Sequence, residues 1–132
     1  MINVAKEKAP QAKFEVMDMR KINLPLHSFD AIICMATLIH VDDSEAYKIL
    51  EKFDALLKEK GMIIINVMEY LNGEKEIFLK ELFNPIYYTY FNQYDKKFFL
   101  NWFSKKGYKI IDIIDNPIFN TEQVTEISSD TN

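Results

Sequence analysis

The chain has 132 residues, 48% of them hydrophobic, and a formal net charge of −4. That length suits one domain, and that apolar content excludes a globally disordered chain. Charge is locally mixed with no long basic run, which argues against a nucleic-acid or anionic-membrane partner, since both call for clustered Lys and Arg. The lone cysteine, Cys34, excludes an internal disulfide and fits a reducing cytoplasm. No apolar stretch approaches the roughly 20 residues needed to span a bilayer. The N-terminal MINVAKEKAPQAK lacks the apolar core of a signal peptide.

In chain order, residues 2–9 predict the end of a helix stopped by Pro10. Residues 13–17 (KFEVM) alternate and predict a short strand. Residues 21–28 are loop. The run 30–35 (DAIICM) predicts a strand buried on both faces of a parallel sheet. Asp42, with Glu45 three residues on, resembles a capping box. Ala46, Ile49, Leu50, Phe53, Leu56 and Leu57 follow at helical spacing, and Gly61 suits the position just past a helix end. Residues 62–67 (MIIINV) predict the next buried strand, which makes a right-handed βαβ unit. Residues 74–83 predict a helix, and the aromatic-rich stretch 84–94 stays unassigned. Asp95 caps a helix carrying Phe98, Phe99, Trp102 and Phe103, closed by Gly107. Residues 108–114 predict the last strand. From Asn120 the composition turns polar; a loose tail is expected, with an edge strand as the alternative.

The three glycines, Gly61, Gly73 and Gly107, are too far apart for a G-x-G turn, so a phosphate-cradling or dinucleotide-binding loop of that type is absent. No Cys/His cluster exists and the acids lack ligand spacing, so no metal is expected.

Three signatures resemble the second half of a class I S-adenosylmethionine-dependent methyltransferase. The first is an acid after a strand, then Leu-Pro, then Ser-Phe-Asp before an apolar strand: Asp18, Leu24, Pro25, Ser28, Phe29 and Asp30. The second is the small-residue segment Ala36-Thr37-Leu38-Ile39 ending in His40 and Val41. The third is Leu56-Leu57-Lys58 with Gly61 before a strand, where the family usually has Lys-Pro-Gly-Gly. Together they cover residues 10–115. The resemblance implies an α/β, Rossmann-like methyltransferase fold, truncated, with a mostly parallel sheet and flanking helices. It divides the chain into a partial methyltransferase domain, 1–119, and a polar tail, 120–132. The family's glycine-rich turn and ribose-holding acid lie upstream of these signatures and have no counterpart here, so the chain resembles a C-terminal portion. Binding of S-adenosylmethionine by the chain alone is not expected.

The resemblance also assigns site residues. Asp18 and Met19 match the positions that meet the adenine; a solvated acid at a strand end is the bland alternative. Cys34, Met35 and Ala36 match the segment that passes the sulfonium, against core packing for Cys34 and Met35. His40 is the candidate general base, since imidazole takes a proton near neutral pH; packing beside the following helix is the alternative. His27 is expected to be exposed. Phe98, Phe99 and Trp102 are expected in the core, and Tyr87, Tyr88 and Tyr90 stay open between core and substrate wall.

Two functions follow. One is part of a methyltransferase acting on an unidentified small molecule. The other is a non-catalytic module or partner subunit that kept the fold without the cofactor site. A gap beside residues 31–35 further predicts a homo-oligomer or an upstream half supplied by another chain.

Overall fold

Asp42 opens the main helix. Its Oδ1 accepts the main-chain N–H of Glu45 at 2.7 Å, filling one of the donors that a helix start leaves without an intrahelical partner. The helix buries Ala46, Ile49, Leu50, Phe53 and Leu56, the apolar stripe legible in the sequence. In chain order the elements are α1 (Ile2–Lys8), β1 (Phe29–Cys34), α2 (Asp43–Leu56), β2 (Leu57–Glu69), β3 (Glu76–Lys80), β4 (Tyr88–Tyr94), α3 (Lys96–Lys105), β5 (Lys109–Asn116) and β6 (Glu122–Ser128). Short 3-10 turns cover Met19–Lys21 and Leu38–His40. The computed structural model describes residues 2–80, 88–116 and 122–128, with Asn116 and 122–128 by their main chain alone.

The strands form one six-stranded sheet in the order β3-β4-β2-β6-β5, with β1 also paired to β2. β1 lies parallel to β2, Ile32 beside Ile63 and Cys34 beside Ile65. β4 joins β2 in parallel at Met68–Gln93 and Glu69–Tyr94, while β6 runs antiparallel to both β2 and β5. Among the described strands, β1, β2, β4 and β5 therefore point one way and β3 and β6 the other. The parallel step from β1 through α2 to β2 is the expected βαβ unit.

The core sits on one face of this sheet. Ile63, Ile65 and Val67 of β2 meet α2 and the aromatic side of α3. Asp95 caps α3 through the N–H of Lys97, and Phe99, Trp102 and Phe103 are buried. Trp102 Nε1 donates to Glu51 at 3.0 Å and Tyr108 donates to Asp54 at 2.6 Å, which joins α3 and the turn after it to α2. Residues 27 and 28 close the other end of α2: their N–H groups donate to Ala55 and Leu56. His27 is exposed, as expected, and its Nδ1 also lies 3.2 Å from the Leu57 oxygen.

Several expectations are corrected. Residues 13–17 form no strand, and Val16 is 89% exposed; a strand exists through its ladder, and no described strand lies beside it. β1 is buried on one face only, with Ile33 67% exposed. Gly61 is not the left-handed residue after α2, since that conformation falls on Lys60 at φ 65°. Gly61 instead gives room: a Cβ there would stand 2.9 Å from both Leu57 Cδ2 and the Lys58 oxygen. The helix expected over 74–83 is a strand at 76–80, paired antiparallel with β4; residues 81–83 lie outside the described residues, as do 84–87. The tail expected after Asn120 includes β6, which lies between two strands rather than at an edge.

Candidate active site

The chain leaves β1 at Cys34 and turns sharply. Ala36 sits at φ 54°, a left-handed conformation that costs an L-residue about 1–2 kcal/mol. Two contacts hold it. Asn66 Oδ1, on the neighbouring β2, accepts the Ala36 N–H at 2.5 Å, and Thr37 Oγ1 donates to the Met35 oxygen at 2.8 Å. The turn thus exposes Met35 and places main chain at the carboxyl end of a parallel strand, where open α/β sheets form ligand crevices. Burial pushes the Cys34 thiol up from its ordinary value, against opposing hydrogen bonds from Thr37 and Leu38. A neutral, buried thiol is no nucleophile.

His40 ends the 3-10 turn. Its Nδ1 lies 2.9 Å from the main-chain oxygen of Tyr90, and its ring packs 4.9 Å from that of Phe91. A carbonyl oxygen only accepts. The contact therefore puts the ring proton on Nδ1 and leaves the Nε2 lone pair to take another. Sequence reasoning named His40 but had no route to this partner, a main-chain atom fifty residues away.

Asp18 caps the Met19–Lys21 turn by accepting the Arg20 N–H at 2.9 Å. The Arg20 side chain also binds it through Nε and Nη2, each at 3.1 Å, and reaches Glu45 at 3.4 Å. The Arg20 hydrogen bonds hold the Asp18 carboxyl below its usual range. Its ionised oxygens have lone pairs to spare for a further donor such as an exocyclic amine. Met19 follows at the first position of the turn, where a main-chain N–H has no partner within the turn.

The residues named from sequence fall into three places. Cys34 and Met35 line an apolar groove of about 570 Å³ along β1, with Ile22, Leu24, Phe29 and Ile33. Met19 lines a second cavity, about 640 Å³, between its own turn and α2. Ile22 borders both. His40 lines neither. Asn66 was missed, although one polar residue inside MIIINV is the signal that would have found it. Among the described residues no group of three His, Cys, Asp or Glu side chains could hold a metal ion, and no helix is long and apolar enough to cross a membrane.

A family model described as a methyltransferase domain matches residues 1–61. Solved structures match nearly the whole chain. An S-adenosylmethionine-dependent methyltransferase from Methanosarcina mazei superposes with a TM-score of 0.76 at 13% identity, over 96% of this chain and 76% of its own. The fold is that of the S-adenosylmethionine-dependent methyltransferases. A protein from Pyrococcus horikoshii gives a TM-score of 0.70 at 17% identity, over 96% and 66%. The 1,6-didemethyltoxoflavin-N1-methyltransferase of Burkholderia thailandensis, solved with 1,6-didemethyltoxoflavin and S-adenosylhomocysteine, gives 0.67 at 13%, over 96% and 55%. The chain thus spans just under two thirds of the Pyrococcus protein and about half of the Burkholderia methyltransferase. No curated protein sequence matches. The family match over residues 1–61 and the fold bear out the resemblance carried by the three signatures, which run from the turn before β1 to the start of β2.

Proposed function

We propose that this chain is the acceptor-side part of an S-adenosylmethionine-dependent methyltransferase acting on a small molecule. Asp18 and Met19 receive the adenine, Cys34, Met35 and Ala36 pass the sulfonium, and His40 takes the acceptor's proton at Nε2. The observation that carries the reading is the strained Ala36 turn at the carboxyl end of β1, held by Asn66. Strain kept in place by dedicated contacts marks functional turns. The residues present fit the adenine and sulfonium ends of the cofactor. The glycine-rich turn that would approach its remaining parts is not in this sequence. The bound cofactor supplies an electrophilic methyl group, and transfer needs alignment and exclusion of water more than covalent help. The open edge of β1 suits a further strand, from a second copy or an upstream half on another chain. The buried thiol of Cys34 fits a reducing cytoplasm.

The test is a titration with S-adenosylhomocysteine followed by amide resonances. Shifts at about millimolar ligand confined to 18–19 and 34–36 are expected, with no saturable heat in calorimetry at lower concentration. Shifts confined to other segments, or none, would remove these residues from the site. Micromolar binding would show that a glycine turn is dispensable.

A further inference from the structure

We propose that Asp43, Lys75 and Asn92 form a positioning group that seats the β3–β4 hairpin on the start of α2 and thereby fixes the tautomer of His40. Its catalytic meaning rests on the reading of His40 as a proton acceptor; its geometry does not.

The hairpin needs such a group. The β4–β2 ladder holds only two residue pairs in register, supplemented by the Tyr70 N–H donating to the Tyr94 oxygen at 2.7 Å. Residues 88–92 run beyond that seam. Gln93 donates its N–H to Lys75, so alternation turns the odd residues of β4 toward β3 and the carbonyl of Tyr90 toward the opposite edge. That carbonyl is the one His40 meets. Where residues 88–92 lie therefore decides whether Nδ1 has its acceptor.

Asn92 is fully buried at this place. Its Nδ2 donates to Asp43 Oδ1 at 2.9 Å, and its Oδ1 accepts from Lys75 Nζ at 2.8 Å. Lys75 Nζ also donates to Asp43 Oδ1 at 2.6 Å. An ammonium only donates and a carboxylate only accepts, so the amide has one orientation that serves both. The three side chains come from β4, from the approach to β3 and from the first turn of α2. Lys75 stands 5.5 Å over the Tyr94 ring, whose hydroxyl lies 2.6 and 2.7 Å from the oxygens of Leu38 and Val41. Both sides of His40 are thus tied to the same buried cluster. Charge-assisted bonds of this kind are shorter and stronger than neutral ones.

The experiment reads the His40 ring directly, by nitrogen–proton correlation on the ¹⁵N-labelled chain. The wild-type ring is expected in the Nδ1–H form by roughly tenfold or more, since a hydrogen bond at one ring nitrogen selects the tautomer. Lys75→Met and Asp43→Asn are each expected to cut that ratio about threefold or more, because each removes a charged partner. Tyr90→Phe removes the hydroxyl that donates to Glu76 but keeps the main-chain oxygen, and should leave the ratio unchanged. An Nε2–H ring in the wild type overturns the proposal. So does an unchanged ratio in Asp43→Asn, a half-exposed position expected to fold even if Lys75→Met does not. If the tautomer responds while His40→Ala leaves methyl transfer intact, the catalytic reading fails and the positioning group stands.

Discussion

Asn66 Oδ1 and the main-chain nitrogen of Ala36 are 2.5 Å apart. This bond ties Asn66, the fourth-from-last residue of β2, to the turn that leaves β1. It lets an alanine hold a conformation that favours glycine. A buried polar side chain in an apolar strand is stabilising only when its partner is in place, and here the partner is a donor that the turn itself presents. Sheet and site are therefore coupled at one atom pair.

Asn66→Ala should destabilise the chain by about 1–3 kcal/mol, because it leaves a main-chain donor without its acceptor. Urea unfolding gives the cost, and amide exchange at Ala36 should quicken by more than at Ile49 in the core. Equal protection of Ala36 in the variant would sink this account. Ala36→Gly removes the left-handed cost but frees the unfolded chain, so its net effect is expected within about 1 kcal/mol of zero.

Much of the fold was legible because local signals agreed with packing. Asp42 and Asp95 both cap the helices they predicted, and the apolar runs around Ile32 and Ile63 are the paired parallel strands. The failures have physical causes. Glu76, Leu79 and Lys80 favour helix, yet pairing of Phe78 with Tyr90 places them in a strand. Residues 13–17 alternate correctly and still form no strand, since the ladder is a property of the neighbour. At the candidate site, type and position alone single out His40. Its tautomer is not legible in the sequence, because the atom that sets it is a main-chain oxygen, and every residue carries one.

Asp18→Ala should weaken S-adenosylhomocysteine binding roughly two- to tenfold, the equivalent of one hydrogen bond at about 0.5–1.5 kcal/mol. Amide titration measures it. Arg20 loses its carboxylate partner in the same variant, so Arg20→Gln is the control: it should change affinity less than Asp18→Ala does. The reverse order would make Arg20 the ligand-facing residue.

Glu51 links pH to stability. Lys106 Nζ donates to it at 2.8 Å and Trp102 Nε1 at 3.0 Å; the Lys106 bond above all holds its carboxyl below the usual range. A lowered folded value stabilises the chain above the ordinary carboxyl value of about 4.3, and the gain is lost as pH falls through the folded value. Lys106 is raised in turn by Glu51, so its share is present below about 10.4 and lost as pH rises beyond its folded value. Glu51→Gln should therefore lower the unfolding free energy between about pH 5 and 9, by no more than the ~1 kcal/mol of a part-exposed pair. The difference should shrink as pH falls below the ordinary carboxyl value and through the lowered folded one. A difference that persists there would assign the effect to packing.

His40→Ala should lower methyl transfer by about 10²–10⁴-fold if its Nε2 takes the proton in the rate-limiting step. The assay belongs to a form of the protein with measurable activity toward its acceptor. A loss of under about threefold would leave the ring as the cap on the Tyr90 carbonyl and nothing more.

The open side of β1 makes the last prediction. Among the described residues β1 pairs only with β2, and Ile33 is 67% exposed beside an apolar groove. An unpaired apolar edge is a template for another strand. A second copy presents the same edge, and a two-fold arrangement lets each cover the other's groove with one self-complementary contact. Self-association along β1 is therefore expected at tens of micromolar, with a mass at least twice 15.6 kDa by light scattering after size exclusion. Ile33→Lys puts a charge into that contact and should return the monomer without unfolding it, because the side chain faces away from the core. A wild-type chain that runs as a clean monomer would show that the edge is covered without a second copy.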